Sequence, residues 1–595
     1  MEYQVKTICE LVREMESTDS VGETTLSKYV KQNMREDINK TEAYYNSQFT
    51  SGNTDADGRE KPFKNICYPA VNIWYRATSR TPNSLYFRAK NLKQQITTLL
   101  ATIKFHEWMN KVNFGQFLNN WGHSLAKNGS SVVEIIEKIK ELLIRVLDWN
   151  NLKVDAVDFD GNIKIKELWF TPAQLKKNKS YNQQMVEELL NNLEARETAD
   201  GTKKDAKAGY IKVQEVHGEL PLSYLTGKKE DEEEYVEQMH VVTFQAKKEN
   251  PNEYDEYCLF SGREKKSPLM ITHLIEQEGQ SYVGGAVKNL FEAQWIVNDS
   301  EKMIRDQLLL ASKIFFQGSD EAMAGKSFFS SIDNGEYLLH KPSEPMTRVS
   351  TSPDIVALQS WEERWQQFGN QVNGIADAMI SQAKSGTAWR QTQAELVEAH
   401  SLFEKMGQTK DLYLKKMVNE YILPFFKKQL IGDTKPISKI LEAHEIKMID
   451  SKYIPAEINR RMNQKKKDVI LSGEIYTPEM EIADTGQVSQ DVQGELQGNQ
   501  RFVYPAEVDW ATELKDLDWD LELVTESDSK DIQAQMATYQ TALQFLAQKQ
   551  GQPLTEDEQM IFNNLISLTG TISPLQLNQK PQQTPAPVAQ QPVMA

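Results

Sequence analysis

The feature that most constrains the fold is a pair of long segments with helical periodicity on either side of a short segment without it. In residues 284–312 apolar side chains recur every three or four positions, and residues 354–380 form a second such segment. This spacing places the apolar side chains on one face of an α-helix. Residues 313–353 contain two short runs typical of strands, KIFFQ and EYLLH. The sequence therefore predicts a helix, a small β-containing lobe and a returning helix.

The sequence before the first of these helices predicts a helical part followed by a sheet. Residues 91–121 have the spacing of an amphipathic helix pair, with breaks expected at Gly115 and Gly122. Short runs rich in β-branched and aromatic residues follow, among them SSVVEIIE and HVVTFQ. The dipeptide Asp160-Gly161 between two such runs indicates a hairpin turn. The polar residues 191–209 are expected to form a solvated loop within this sheet.

The sequence after the second helix is again mixed. Residues 387–423 predict a long helix that Pro424 should kink or end. Residues 434–530 combine a basic helical piece with the strand-like DLDWDLELV. Residues 531–570 have helical spacing, and the tail after them is so rich in proline and glutamine that disorder is expected. We therefore predict an α+β chain with several structural units.

Composition excludes several classes of protein. Among 595 residues, 85 Asp and Glu outnumber 68 Lys and Arg and give a net charge of −17, so unspecific capture of DNA by a basic surface is not expected. The three cysteines are far apart, which argues against a disulfide framework or a zinc ribbon. The first residues are not those of a signal peptide, and apolar runs are too short to span a bilayer. We therefore expect neither secretion by that route nor a membrane span.

Motifs for catalysis or metal binding are incomplete. GSDEAMAGKS resembles a phosphate-binding loop, but six residues instead of four separate Gly318 from Gly325. NTDADG resembles the start of a calcium loop, but Lys64 stands where a bidentate glutamate is required. No nucleophile motif or metal-spaced histidine pair is visible in the sequence. We predict no cofactor, no metal and no enzymatic activity.

Two charged clusters leave alternatives open. Asp516, Asp518 and Asp520 share one face of a strand and could hold a divalent ion, but an amphipathic strand with these carboxylates in solvent is the simpler interpretation. A basic run within the helical piece could meet DNA or the acidic surface of a neighbouring copy, although a solvated helix face is favoured. Its members are Arg460, Arg461, Lys465, Lys466 and Lys467.

The two long helices carry more apolar area than they can hide from each other. The excess lies in Phe291, Trp295, Trp361, Trp365 and Phe368. Neighbouring copies would cover the remainder, which favours a cyclic assembly with heterologous contacts.

Four segments, taken in their order, resemble one protein family. NIWYRATSRTPNSLYFRA, with FLNNWGHSLAKNGSSVVEI after the next helix, is similar to the start of a wing domain. IKVQEVHGELP resembles a wing strand, and GGAVKNLFEAQWIVNDSEKMIRDQLL resembles a first stem helix with Gln294 and Asn298 at its usual polar positions. The most specific segment, SGTAWRQTQAELVEAHSLFEKMGQTKDLYLKKMVNEYILPFF, resembles a tunnel loop that leads into a long helix. From about Lys61 to Leu430 the chain resembles the portal proteins of tailed double-stranded DNA bacteriophages.

The resemblance implies a portal-like α+β subunit. Its parts, in chain order, would be an α/β wing, a two-helix stem, a small β-containing clip, a long tunnel-backing helix and a helical crown. The implied division is an N-terminal arm (1–60), the wing (61–283), the first stem helix (284–313), the clip (314–353), the second stem helix (354–380), the tunnel loop with the long kinked helix (381–433), a wing return (434–530), the crown (531–571) and a disordered tail (572–595).

The resemblance also implies a function. Portal proteins form rings, usually of twelve copies, at the capsid vertex, where double-stranded DNA is packaged and ejected. The implied partners are the terminase motor, the head–tail adaptor and the major capsid or scaffolding protein, and no membrane is involved. The chain would be assembled in the bacterial cytoplasm and reside in the virion as a head–tail connector. The alternatives are a packaging motor ATPase, which would need an intact phosphate loop, and a scaffold or neck protein that never surrounds DNA.

Two groups of site residues follow from the resemblance. The tunnel loop would line the channel, with Lys384 and Arg390 as sparse phosphate contacts, Gly386 giving backbone freedom, and neutral lining from Gln382, Ser385 and Thr387. An ordinary connection between helices is the alternative. The clip would dock an adaptor or neighbouring clips through Lys326, Phe328, Phe329 and Tyr337. For the two phenylalanines a local core is about equally compatible with the sequence.

Overall fold

Helices and strands follow one another in long blocks. The computed structural model describes residues 8–21, 23–25, 31–55, 58–82, 85–89, 95–138, 141–200, 210–246, 254–312, 315–317, 347–349, 355–375, 389–432, 437–440, 443–473, 475–495, 500–503 and 519–523. The helices in this part are α1 (Ile8–Val21), α2 (Met34–Tyr45), α3 (Cys67–Ala77), α4 (Gln95–Lys111), α5 (Phe114–Asn128), α6 (Pro172–Lys177), α7 (Gln183–Asp200), α8 (Ser223–Thr226), α9 (Ala286–Asn289), α10 (Phe291–Ser312), α11 (Ile355–Val372), α12 (Trp389–Met417), α13 (Leu423–Gly432), α14 (Ala443–Leu471) and α15 (Pro478–Glu495).

The strands complete a fold of mixed α+β class, as the sequence predicts. They are β1 (Glu23–Thr25), β2 (Lys31–Asn33), β3 (Leu85–Ala89), β4 (Ser130–Glu137), β5 (Leu142–Leu147), β6 (Leu152–Lys153), β7 (Lys164–Phe170), β8 (Ile211–Pro221), β9 (Tyr235–Ala246), β10 (Tyr254–Arg263), β11 (Leu269–His273), β12 (Phe315–Gln317), β13 (Thr347–Val349), β14 (Ile437–Ile440), β15 (Gln500–Val503) and β16 (Trp519–Leu523). No helix of the described residues has the length and apolar character needed to cross a membrane.

The chain divides into two units. The first comprises Met1–Ser79, Asn120–Ile135 and Ile144–Lys410, and the second comprises Arg80–Asn119, Ile136–Leu143 and Asp411–Ala595.

A five-stranded antiparallel sheet in the order β10-β9-β8-β7-β6 dominates the first unit. Successive side chains of each strand point to opposite faces of the sheet. The two faces are covered by different helices. Ile165 and Val216 pack with Val12 of α1 on one face, whereas Val213 and Val241 lie in the cluster that includes α6 and α7 on the other. Asp160-Gly161 lies in a turn, as predicted, but this turn is part of the connection 154–163 between the antiparallel strands β6 and β7 and is not a two-residue hairpin loop.

A three-stranded sheet in the order β11-β4-β5 also belongs largely to the first unit. Val132 of β4 packs with Met34 and Ile38 of α2 and with the buried rings of Trp149 and Tyr282. The two rings lie edge to face, with centroids 5.1 Å apart. Helix α2 is thereby packed against this sheet.

The two long helices of the prediction are shorter than expected. The first is interrupted at Leu290, between α9 and α10. The second was expected to reach residue 380, but α11 ends at Val372. Gly374 adopts a left-handed conformation with φ of 65°, and the amides of Gly374 and Ile375 donate to the carbonyls of Gln371 and Asn370. This hydrogen-bond pattern closes the end of a helix, which is why α11 stops there.

Aromatic side chains form the core of the second unit. Phe105 of α4 contacts Phe87 of β3 and Phe426 of α13, with ring centroids 4.8 and 5.3 Å away. The strand β16 pairs antiparallel with β3, so that Leu521 lies opposite Phe87. The strand-like sequence near residue 519 therefore returns to a strand more than 400 positions earlier in the chain.

Three expectations about local breaks are wrong or incomplete. The break between α4 and α5 lies at Asn113, whose φ is 53°, and Gly115 and Gly122 lie inside α5. At Gly122 a side-chain carbon would be 2.8 Å from Lys410 Nζ, so a larger residue would displace the end of that lysine. Residues 191–200 are not a loop, because α7 continues to Asp200.

The helix through Pro424 does not end there. Val418–Ile422 form one π-helical turn between α12 and α13, and the amide of Leu423 donates to the carbonyl of Val418, five residues back. A proline ring clashes with the carbonyl one turn before it in a regular α-helix, and a wider turn at this place accommodates the ring. The expected irregularity is therefore present, and the helix continues to Gly432.

Candidate functional site

Helices α10 and α11 form an antiparallel pair, which we call the first hairpin. A side-chain carbon at Gly369 near the end of α11 would lie 2.7 Å from Leu290 Cδ2 and 3.2 Å from Ala293 Cβ at the start of α10. At the opposite end β12 pairs antiparallel with β13. The predicted order of helix, β-containing lobe and returning helix is thus present, although β13 was not expected and EYLLH lies outside the described residues.

Two buried amides fix the first hairpin to the segment before α3. Gln294 Nε2 donates to the carbonyl of Lys64 at 2.7 Å and to Asn298 Oδ1 at 2.9 Å. Gln294 Oε1 accepts from the amide of Ile66 at 2.9 Å, and Asn298 Oδ1 accepts from the amide of Lys64 at 3.0 Å. Gln294 and Asn298, singled out by the resemblance, therefore position the start of α10.

A lysine extends this anchor to the second helix. Lys64 Nζ pairs with the buried Glu362 of α11 and lies 3.4 Å from Glu301 of α10. Burial lowers the pKa of Lys64, but the two carboxylates more than offset this and hold the pKa above its ordinary value. One cation thus connects both helices of the hairpin.

The outer faces of the first hairpin are apolar and exposed. Trp295 of α10 is 54% exposed and Phe368 of α11 is 51% exposed. Trp365 contacts Trp361 and Phe368 edge to face, with centroids 5.9 and 5.5 Å away. Further exposed apolar side chains on the two helices are Met303, Leu308, Leu309, Leu310, Val356 and Val372. Phe291 was expected to belong to this exposed apolar area, but its ring packs on the ring of Tyr44, with centroids 5.7 Å apart.

The charges beside these aromatic side chains differ between the helices. Helical spacing places Glu292, Asp299 and Asp306 on the same side of α10 as Trp295, with Lys302 among them. On α11 the same spacing places Arg364 between Trp361 and Phe368. The two outer faces are therefore different surfaces, one with mainly acidic side chains and one with a single arginine beside the aromatic rings.

Most predicted site residues lie outside the described residues. These are Gln382, Lys384, Ser385, Gly386 and Thr387 of the tunnel loop, Lys326, Phe328, Phe329 and Tyr337 of the clip, the whole of GSDEAMAGKS, and Asp516 and Asp518. Arg390 is the second residue of α12, and Asp520 lies in β16 opposite Arg88. The proposed roles of all these residues stay predictions.

The basic run lies on α14, which forms an antiparallel pair with α15 that we call the second hairpin. Arg460 and Arg461 both donate to Glu457, and these hydrogen bonds, that of Arg460 foremost, lower the pKa of the glutamate. Lys465 Nζ lies 3.1 Å from Asp484 of α15, and Lys466 pairs with Glu481. Four of the five cations thus have acidic partners in the same hairpin.

Cysteine and metal chemistry gain no support in the part of the chain that the structure describes. Burial raises the pKa of the Cys9 and Cys67 thiols to about 12, so both stay protonated. No group of three or more His, Cys, Asp or Glu among the described residues is placed to hold a metal ion. In the calcium-like segment Asp55 Oδ1 accepts from the amide of Arg59 at 2.8 Å and closes a turn.

The sequence interpretation missed the ion pairs that join elements of the first unit. Glu16 of α1 accepts from Lys153 of β6 and Lys212 of β8, at 2.8 and 3.0 Å. Lys166 of β7 is fully buried between Glu134 of β4 and Glu215 of β8. The alternating charges of KIKELWF are the signal in the sequence, but the partners lie on distant strands.

Comparison with known proteins adds nothing to this arrangement. Neither a scan against protein-family models nor a search of curated proteins gives a match.

Proposed function

We propose that copies of this chain form a closed ring around a passage for double-stranded DNA, as portal proteins do at the capsid vertex of tailed phages. The observation that carries the proposal is the first hairpin with aromatic side chains exposed on both helices. Exposed apolar patches of this kind mark protein–protein contacts. The order of hairpin, connecting segment and long helix α12 adds support through its resemblance to stem and tunnel.

A ring follows from the difference between the two faces. The α10 face of one copy, with Glu292, Asp299 and Asp306, suits the α11 face of the next copy, with Arg364. A contact between two different faces of identical copies is heterologous, and it closes into a ring when the rotation permits. Burial of the aromatic side chains would contribute about 25 cal/mol per Å² of apolar surface.

The net charge suits a passage that guides DNA without holding it. Each copy carries −17, so a ring of any size is a polyanion. Each contact of a lysine or arginine with a phosphate releases counterions and raises the affinity that a moving duplex must overcome. In this proposal Lys384 and Arg390 are the sparse cations of the channel, and the clip contacts the terminase motor and later the head–tail adaptor.

Electron microscopy of the purified full chain tests the proposal. We expect rings with an open axial channel and a mass that is a constant multiple of the single chain. Trp361→Ser with Phe368→Ser should abolish rings, whereas Tyr235→Ser should leave them intact, because Tyr235 is 61% exposed but lies on β9. Monomers at micromolar concentration, solid particles without a channel, or hydrolysis of ATP would each overturn the proposal.

A further inference from the structure

The second hairpin ends in an unusually apolar tip. Its members are Ile470, Leu471, Ile475 and Ile482, which are 64, 74, 85 and 76% exposed. All four lie within thirteen consecutive residues around the turn between α14 and α15. Single exposed aliphatic residues are common on protein surfaces, but four within so short a stretch of chain are more than isolated exposure explains.

The tip is held in place by its own hairpin. Gly473, with φ of 85°, ends α14, and its amide donates to the carbonyl of Ile470 at 3.2 Å. Below the tip, Lys465 and Lys466 pair with Asp484 and Glu481 across the two helices. These contacts hold the backbone of the tip in one conformation. Less entropy is therefore lost when a partner covers its apolar side chains.

The charge left beside the tip is mainly negative. Asp468 and Glu479 are exposed there, with Lys467 as a cation on α14. A surface that complements the tip must therefore combine apolar side chains with an excess of positive charge.

The long helix α12 carries apolar and basic side chains along one face, which we call the stripe, with the exposed Glu404 beside it and the exposed Glu420 beyond its end. Leu402, Lys405, Leu412 and Lys416 recur at helical spacing and are all exposed, Leu412 to 68%. Both the tip and the stripe are exposed in the single chain.

We propose that the tip of one copy docks on the stripe of α12 in a neighbouring copy. The contact has an aliphatic centre with charges of opposite sign at its edge, the arrangement found in specific interfaces. It is heterologous, because the tip and the stripe are different surfaces of the same chain. This contact rests on the proposed function in one respect, because the neighbouring copy is the next copy in the ring.

Cysteine cross-linking in mixtures tests this contact. One preparation carries Ile475→Cys and a second, tagged to differ in size, carries Leu412→Cys. After assembly together, oxidation with copper–phenanthroline should link the two variants at least tenfold more than it links either variant alone. Cys9 and Cys67 are buried, and the parent chain under the same oxidant gives the background from Cys258.

Charge reversal provides a second test. Glu479→Lys and Lys416→Glu should each weaken assembly about fivefold, and the double variant should recover most of the loss, because the opposite charges meet again. Lys467→Glu serves as a control for net charge without the pairing.

The outcomes separate this contact from the ring itself. Mixed cross-links together with rescue by the double variant support the contact. Efficient linking of Ile475→Cys to itself would show tip-to-tip pairing and overturn it. Rings without any mixed cross-link would also overturn it and leave the proposed function standing, whereas monomers without cross-links would remove both.

Discussion

The two helical hairpins of this chain are built in opposite ways. The first has close helix contact at Gly369, a buried polar anchor around Gln294 and Lys64, and aromatic side chains along its outer faces. The second has a small core around Met462 and Val488, ion pairs between its helices, and apolar side chains at its tip.

The difference indicates how each hairpin is used. A hairpin with aromatic side chains along both sides is suited to packing side by side with identical hairpins. A hairpin with polar sides and an apolar end is suited to a contact made by the end alone. The first hairpin should therefore decide whether copies assemble, and the second should adjust how firmly neighbours are joined.

The largest expected effect concerns assembly. Trp361→Asp with Phe368→Asp places two charges where neighbours would bury aromatic rings, and we expect loss of all multi-subunit species in mass photometry. The unfolding free energy of the single chain should change by less than about 1 kcal/mol, because both side chains are about half exposed.

The matched substitution in the second hairpin is Ile470→Asp with Ile475→Asp. We expect weaker neighbour contacts but persistent rings. If the second-hairpin variant loses rings and the first-hairpin variant keeps them, the two roles are reversed.

One glycine in each hairpin gives a second comparison. Gly369→Ala should destabilise the chain by about 1–3 kcal/mol, because the added carbon meets Leu290 and Ala293 across the helix contact. Gly486→Ala should stabilise it by about 0.5–1 kcal/mol, because no other part of the described chain lies within 4 Å of the added carbon and alanine favours the helix. Urea unfolding of both variants measures the two signs, and equal signs would contradict the structural contrast.

Local pattern in the sequence was enough for much of the fold. Helical spacing predicts the first hairpin, and Asp160-Gly161 predicts a turn before β7, although the strand before that turn, β6, is only Leu152–Lys153. The end of α11 also had a signal in Asn373-Gly374, because glycine after asparagine favours the left-handed helix end that the structure contains. Apolar spacing continues beyond this dipeptide, and for that reason the sequence predicts a helix to residue 380, longer than α11.

Other features depend on partners that local pattern cannot supply. The pairing of β16 with β3 joins residues from opposite parts of the chain, and spacing within either strand does not identify the other. The same holds for the basic run, whose partners Asp484 and Glu481 lie on the next helix. The tunnel-loop assignments, Lys384 among them, depend on resemblance alone and stay predictions.

The ion pairs of the second hairpin give a smaller effect. Lys466→Gln removes the pair with Glu481 and the cation 5.4 Å above the Tyr476 ring. We expect hydrogen exchange in α15 to report a loss of about 0.5 kcal/mol that shrinks in 1 M salt, because partly exposed ion pairs are weak and screened. Lys467→Gln, one residue further on the same helix, is the control and should change exchange by less. An equal loss in both variants at both salt concentrations would show that the pair contributes nothing.

The smallest expected effect is a pH dependence of the unfolding free energy. Its sign is opposite for Glu457 of the second hairpin and for Lys64, which anchors the first. The pKa of Glu457 is lowered by Arg460 and Arg461, so its stabilisation is complete above the ordinary carboxyl pKa and is lost as the pH falls through the lowered value. The pKa of Lys64 is raised, so its stabilisation is complete below the ordinary lysine pKa and is lost only at strongly alkaline pH. As the pH falls from 7 through the carboxyl range, the stability difference between the parent chain and Glu457→Gln should therefore shrink, by about 0.3 kcal/mol in urea unfolding, because partly exposed ion pairs are weak. Over the range from pH 7 to pH 6, where neither group titrates, the differences for Glu457→Gln and for Lys64→Met should both stay constant. A Glu457→Gln difference that does not change at all on acidification would show that packing, and not charge, accounts for the role of this glutamate in the second hairpin.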